Sequence, residues 1–222
     1  AYWIGFIWCD GYVSYRNRKG FESYDFKLSL SSEDIEHLYL FKSYLKSNHV
    51  IRQYDIKDGF NTTNKEARLL ICNKNFGKNL YDKYGLIPHR HNTYNLIKSI
   101  PYQYRYDFIR GIFDAEGTLI KKYIKYKKTE AYEYSIGFCT YEELLLYINN
   151  IFIKDGLTTT RYKLSKRHEN GDLYCSNLRI TGNGIVLKVL EKIYEDSENL
   201  NLARKYSRYI DMIQYIQEKG DM

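Results

Sequence analysis

Trp3-Ile-Gly-Phe-Ile-Trp-Cys-Asp-Gly11 and Ile109-Arg-Gly-Ile-Phe-Asp-Ala-Glu-Gly117 decide the fold of this chain. Each stretch reads glycine, three larger residues, a small residue, an acid and a second glycine, and the two acids, Asp10 and Glu116, stand 106 positions apart. A second pair of anchors lies downstream. Ser31-Ser-Glu-Asp34 leads into Ile35, Leu38, Phe41 and Leu45, and Thr140-Tyr-Glu-Glu143 leads into Leu144, Tyr147, Ile148 and Ile151. Both are polar caps with acids in the first turn of an amphipathic helix. A third pair is Arg68-Leu-Leu-Ile-Cys-Asn73 with Asn177-Leu-Arg-Ile-Thr-Gly182, each running into another helix pattern. The second and third pairs are both displaced by 109 positions. Three anchors in one order at nearly one offset define a tandem duplication.

Each copy reads as helix, two strands, helix, two strands, helix. The first copy places these at residues 2–10, 12–18, 23–30, 32–46, 50–57, 66–72 and 74–84. The second places them at 104–116, 118–126, 132–139, 141–153, 158–167, 173–181 and 184–195, with a closing helix near 199–217. Strict alternation carries the strands. Phe26, Leu28 and Leu30 face one way, and Asp25, Lys27, Ser29 and Ser31 face the other. Residues 85–103 join the copies and contain the chain's 2 prolines, Pro88 and Pro101. The expectation is an α/β (α+β) protein: a pseudo-twofold duplication of αββαββα with two antiparallel sheets. Its domains are 1–100, including the link from about 85, and 101–222.

The acids sit at electrostatically poor positions. Gly5 with Cys9, and Gly111 with Ala115, are four apart on one helix face, where missing bulk lets two backbones approach. Asp10 and Glu116 then fall at the helix C-termini, with Gly11 and Gly117 read as left-handed caps. A carboxylate there meets the negative end of the dipole, at a cost of about 0.3–1 kcal/mol. Two such groups brought together repel further. Ordinary caps before turns account for either position alone. A shared divalent cation accounts for the pair, and oxygen donors without histidine suit Mg²⁺, with Mn²⁺ or Ca²⁺ as alternatives.

Composition narrows the function. The chain of 222 residues is 44% hydrophobic and 17% aromatic, which excludes disorder, and no run of about 18 apolar residues is present to span a membrane. Lysines and arginines number 34 against 27 acids, a net charge of +7 that favours a polyanion such as nucleic acid. Cys9, Cys72, Cys139 and Cys175 lack CxxC spacing and read as reduced thiols. The 25 tyrosines are expected mostly in the core and sheets. The basic run from Lys121 to Lys128 is either a phosphate track or a solvated strand edge. Gly182-Asn-Gly184 reads as a strand-to-helix turn rather than a phosphate loop.

The two opening stretches resemble the paired motifs of the LAGLIDADG homing endonucleases in their monomeric two-repeat form. The link Tyr84-Gly-Leu-Ile-Pro-His-Arg-His-Asn-Thr93 and the run into Phe108 are similar to phage and bacterial members. The resemblance covers nearly the whole chain. It implies saddle-shaped DNA-binding sheets around a central pair of motif helices, and Mg²⁺-dependent cleavage of both strands of a long, nearly palindromic site. It further implies metal ligation by the last acid of each motif, Asp10 and Glu116. Basic side chains that steady phosphate charge map by position to Arg90 and Lys205, although surface charge would explain either. Trp8 stands where the second motif has Asp114 and the family often has Asp, a position that does not ligate metal in the family. A fused or trimmed precursor, such as an intein or a reading frame running on from a host gene, fits a start at Ala1. The implied partners are double-stranded DNA and, in a maturase role, intron RNA. The implied setting is the cytoplasm or an organelle. A catalytically silent DNA-binding regulator with the same fold is the alternative.

On that arrangement the helix-free face of each sheet enters the major groove. Alternation places Ser14, Arg16, Arg18, Asp25, Lys27, Ser29, Arg68 and Leu70 on it in the first copy, with Arg52 and Tyr54 in a less certain frame. In the second copy it places Lys122, Tyr126, Ser135, Asn177 and Arg179, with Arg161 and Lys163 again less certain. A strand of eight residues spans roughly 26 Å, or roughly 8 base pairs per half.

Overall fold

The computed structural model describes residues 1–57, 63–87, 93–126, 129–157, 163–166 and 175–220. It divides into two compact units, Phe6–Ile100 and Ala1–Gly5 with Pro101–Met222. The first helix, α1 (Tyr2–Asp10), contributes its opening residues to the second of these and its remainder to the first.

In the unit Phe6–Ile100, β1 (Gly11–Arg18), β2 (Phe21–Ser31), β3 (Ile51–Lys57) and β4 (Thr63–Cys72) form one antiparallel sheet in the order β1-β2-β4-β3. Register follows the apolar alternation. Val13 pairs with Phe26 and Leu28 with Leu69, and all four are buried. The buried row, completed by Tyr24, Leu30, Ala67 and Ile71, is the core face of the sheet. α2 (Ile35–Tyr44) enters through a 3₁₀ turn, Ser32–Asp34, which Ser31 caps by accepting the Glu33 amide, and it buries Leu38 and Phe41. α3 (Lys74–Tyr84) is capped by Asn73, ends on the left-handed Gly85 and lies close to β2. At Gly77 an added Cβ would stand 2.7 Å from the Tyr24 carbonyl oxygen.

The link between the copies, to which the sequence pattern assigned no element, carries a further helix, α4 (Thr93–Ser99), and a 3₁₀ turn, Tyr102–Tyr104. With Leu96 as its one deeply buried apolar side chain, α4 has too little periodicity to stand out in the sequence.

The second unit repeats the plan. α5 (Arg105–Glu116), β5 (Thr118–Tyr126), β6 (Thr129–Tyr141), α6 (Glu142–Lys154), β7 (Lys163–Lys166), β8 (Cys175–Thr181) and α7 (Asn183–Tyr194) follow in order, and the sheet runs β5-β6-β8-β7. Phe138 pairs with Leu178 as Leu28 does with Leu69. The motif acids are 106 positions apart, whereas the paired residues 28 and 138 are 110 apart, so the second unit has the longer hairpin. The closing helix α8 (Ala203–Lys219) starts later than the sequence pattern indicates. Asp196, Glu198 and Asn199 all adopt positive φ, which no helix tolerates. α1 meets α5 through Gly5, where a Cβ would strike the Phe108 carbonyl oxygen and lie 3.1 Å from the Ile112 nitrogen.

Two expectations are corrected. Gly11 and Gly117 are not left-handed caps: Gly117 sits at φ −68°, ψ 155°, and Gly11 is absent from the positive-φ glycines. Space, not φ, requires glycine there. A Cβ on Gly117 would strike the Phe113 side chain and carbonyl, and one on Gly11 would strike the Ile7 carbonyl and the Phe26 ring. The expectation of tyrosines in the core and sheets holds for some and fails for Tyr39, Tyr44, Tyr94, Tyr102 and Tyr104, which are exposed and outside the strands. Tyr2, Tyr24, Tyr134, Tyr194 and Tyr209 are buried, but Tyr12, Tyr15, Tyr39, Tyr44, Tyr54, Tyr94, Tyr102, Tyr104, Tyr123 and Tyr132 are exposed.

Candidate nucleic-acid interface

Each motif helix ends in an acid from which a sheet begins. Asp10 closes α1 and Gly11 opens β1; Glu116 closes α5 and Thr118 opens β5 one residue later. Both carboxylates are half-buried. Gly117 donates its amide to the Phe113 carbonyl at 2.8 Å, so helix bonding persists to the last turn and Glu116 projects from it.

The C-terminus of α5 is held by a cation. Lys205, buried on α8, donates from Nζ to the carbonyls of Phe113 and Gly117, each at 2.6 Å, and to that of Ala115 at 3.4 Å. These carbonyls flank Glu116 in sequence, and an ammonium among them offsets the negative helix end. Beneath it lies a buried polar network. Asp114 accepts from Tyr2 Oη at 2.9 Å, Tyr194 Oη at 3.0 Å and the Leu202 amide at 2.8 Å. Burial pushes its carboxyl up to about 6, with these bonds opposing the shift. Arg110 donates to the carbonyls of Leu200, Ile193 and Glu195 and to Asp107, so the loop before α8 is tied to α5. In the first motif Trp8 stands in place of Asp114 and is a buried core side chain.

The helix-free faces take shape from the strand pairing. In antiparallel pairs, residues directly opposite share a face. Tyr12, Lys27 and Leu70 form one row across the first sheet; Ser14 and Asp25 lie in a second; Ser29, Arg68 and Arg52 in a third; Ser31, Glu66 and Tyr54 in a fourth. Arg16 and Arg18 continue along β1, and all are on the face away from the core. Arg68 is the centre of this surface: it bonds Glu66 at 2.7 Å and Ser29 at 3.3 Å and lies 4.6 Å from the centroid of the Tyr54 ring.

On the second sheet Lys122, Ser135, Asn177 and Arg179 share the corresponding face, although Ser135 is itself buried and receives Arg179 Nη2 at 3.2 Å. Lys163 of β7 pairs with Arg179, and Tyr126 ends the described part of β5; their side chains, like Arg161 and Arg90 entirely, lie outside the described residues. Residues 127–128 of the basic run also lie outside. Within that run Lys121 and Lys122 diverge: Lys122 is on the open face, whereas Lys121 packs over the Tyr132 ring at 4.4 Å on the helix side. Glu116 lines a depression of about 470 Å³ with Thr118, Ile120, Gly137, Asn177 and Arg179.

Several open-face residues were missed in the sequence reading. Tyr12, Thr118 and Ile120 are exposed and share the strand parity of Ser14 and Lys122, so alternation alone would have found them. Lys205 gave no comparable signal of burial, because its partners are backbone carbonyls of a helix some ninety residues earlier.

Two duplicated halves, each with a motif helix ending in an acid at the head of a four-stranded antiparallel sheet, define the LAGLIDADG homing endonuclease fold, and solved structures bear this out. The chain superposes on the I-SmaMI LAGLIDADG homing endonuclease bound to cleaved DNA with a TM-score of 0.64 at 12% identity, covering 100% of this chain and 91% of that one. The I-LtrWI LAGLIDADG homing endonuclease bound to target DNA gives 0.63 at 12% identity, with 99% and 90% covered. The LAGLIDADG meganuclease I-CpaMI bound to uncleaved DNA gives 0.64 at 11% identity, with 98% and 92% covered. No protein-family model matches the chain, and no curated protein sequence does. No described helix is long and apolar enough to cross a membrane.

Proposed function

We propose that the protein is a site-specific DNA endonuclease that hydrolyses both strands of a long, nearly palindromic duplex site. The observation that carries this reading is the repeated placement of a half-buried carboxylate, Asp10 or Glu116, where a motif helix gives way to an open sheet face bearing Arg16, Arg18, Arg52 and Arg68 or Lys122 and Arg179. The similar structures are described as bound to cleaved, uncleaved or target DNA, and one I-SmaMI complex as formed in the presence of calcium ions.

Hard oxygen donors at the negative ends of helices suit divalent cations of the Mg²⁺ class, and Asp10 and Glu116 are the side chains that would ligate them. When bound, such an ion supplies an acidified water as nucleophile and stabilises the leaving oxygen. The chain's own groups do the rest. The two acids serve opposite strands. Lys205 keeps the backbone around Glu116 fixed, so the carboxylate is preorganised rather than recruited. Arg90 steadies phosphate charge in the transition state. The open-face arginines and lysines hold phosphates and read base edges in the major groove. One chain supplies both halves, so it acts as a monomer on DNA in the cytoplasm or an organelle.

The test is a plasmid library carrying randomised long inserts and, separately, the genomic sequence flanking this reading frame. Linearisation at one site with Mg²⁺, abolished in Asp10→Asn plus Glu116→Gln with binding retained, is the expected result. Specific binding of duplex or of intron RNA without cleavage under any divalent ion would instead establish a silent regulator or a maturase.

A further inference from the structure

The hairpin β5–β6 outruns its sheet. β6 pairs with β8 only from Ser135 to Tyr141, while its pairing with β5 reaches out to Thr129. Beyond Ser135 one edge of β6 therefore has no neighbouring strand among the described residues. An unpaired edge ordinarily loses its hydrogen bonds to solvent or to another chain. Here one backbone amide and two side chains take the place of a strand. Gly182 donates its amide to the Tyr134 carbonyl at 3.2 Å. Asn183 accepts the Tyr134 amide at 2.8 Å through Oδ1 and donates from Nδ2 to the Tyr132 carbonyl at 3.0 Å. Tyr215 Oη accepts the Tyr132 amide at 2.8 Å. Four successive outward backbone groups are thus satisfied by three residues of α7, α8 and the turn between β8 and α7.

The geometry has a sequence cause. Gly182 adopts φ 104°, which turns the chain off the sheet into α7 while the amide of the next residue reaches back to the strand. Tyr215 is fixed in turn by ring contacts, edge-on to Tyr132 at 5.5 Å and tilted on Tyr134 at 5.8 Å, with Lys121 Nζ 5.6 Å from its centroid. In the other unit the residue matching Gly182 is Asn73, whose side chain caps its own helix by accepting the Phe76 amide. The device belongs to the second sheet.

We propose that Asn183 and Tyr215 are specificity-positioning residues: they latch the overhanging hairpin to α7 and α8, and so set where its opposite face, with Lys122 and the β5 positions beyond it, meets the outer base pairs of one half-site. This rests on the endonuclease reading for its DNA consequence and on the bonds alone for its mechanical one. The latch explains how an overhang stays rigid enough to discriminate bases, since a fraying strand pays an ordering entropy on every binding event.

The experiment uses the full chain with Asn183→Leu, which keeps volume and loses both amide bonds, and Tyr215→Phe, which keeps the ring and loses the acceptor. Amide hydrogen exchange is read by NMR at Tyr132 and Tyr134, and the preferred duplex is then selected from a randomised library. A net hydrogen bond is worth about a fivefold change in an equilibrium. Exchange of the Tyr132 amide should accelerate about fivefold in Tyr215→Phe, and that of Tyr134 about fivefold in Asn183→Leu, with Leu28 and Leu69 unchanged. Both variants should lose base preference at the outer positions of one half-site only, with the maximal cutting rate on the best site retained. Unchanged exchange in both variants overturns the latch. Faster exchange with base preference intact overturns its role in specificity. A wild-type chain with no sequence preference overturns the DNA reading, and the exchange measurement still decides whether the latch exists.

Discussion

Lys205 shows how a single side chain changes meaning between sequence and structure. In Ala203-Arg-Lys205 it is one cation among many, and position alone matched it to a phosphate-binding role. In the fold it is buried against carbonyls of Phe113, Ala115 and Gly117. Replacing it with Met leaves those carbonyls without a charged partner, and a loss of about 2–4 kcal/mol is expected in urea unfolding. Cleavage should fall further than stability explains, because the backbone carrying Glu116 loses its anchor. His37 makes a second residue-scale case. Burial, opposed by Asp34, lowers its imidazole to about 4, and its ring stands 4.7 Å from Phe6. The folded chain thus holds it neutral while the unfolded chain protonates near 6.5. Stability from this group is complete above about 6.5 and is lost as pH falls towards 4, by up to about 3 kcal/mol. Thermal midpoints measured from pH 7 to 4 should drop, and His37→Leu should flatten that slope.

Among elements, the strands were the most legible in the sequence and the glycines the least. Phe26, Leu28 and Leu30 announce a two-residue period that only one register satisfies, and β1, β2 and β4 follow from it. The same parity put Arg16, Arg68 and Lys122 on the helix-free faces. Both motif helices were read within a residue of their observed ends because glycine follows each acid. The reason for that glycine was misread, since a helix stop signals by composition and crowding only by coordinates. Phe26, which fills the space next to Gly11, comes from the following strand. Helix α4 was invisible for want of apolar periodicity, and the hairpin latch because Asn183 and Tyr215 are 32 positions apart with Tyr132 far upstream of both. Sequence patterns report the face a residue occupies; they do not report which backbone group a polar tip will find.

For the whole molecule, whose net charge is +7, the open sheet faces carry Arg16, Arg18, Lys27, Arg52 and Arg68 in one unit and Lys122 and Arg179 in the other. If those faces hold phosphates, affinity for the cognate duplex should fall linearly in log–log terms with salt, and each phosphate-contacting cation removed should reduce the slope by about 0.9. Lys122→Ala, measured by fluorescence anisotropy across a salt series, tests this on the second sheet, and an unchanged slope would take Lys122 off the phosphate track. The duplication itself was legible from three anchors. Its unequal hairpins emerged only from the pairing. If the sheets read DNA as proposed, the two halves need not read the same number of base pairs.

The division of α1 between the units bears on how the chain comes off the ribosome. Tyr2 hydrogen-bonds Asp114, and Gly5 lies against Phe108. More than a hundred residues must be synthesised before the opening turn meets its partners, whereas Phe6, later in α1, already has His37 to pack on. Residues 1–5 therefore wait for partners made much later while the rest of their own helix can already pack, so this turn is fastened late relative to its synthesis.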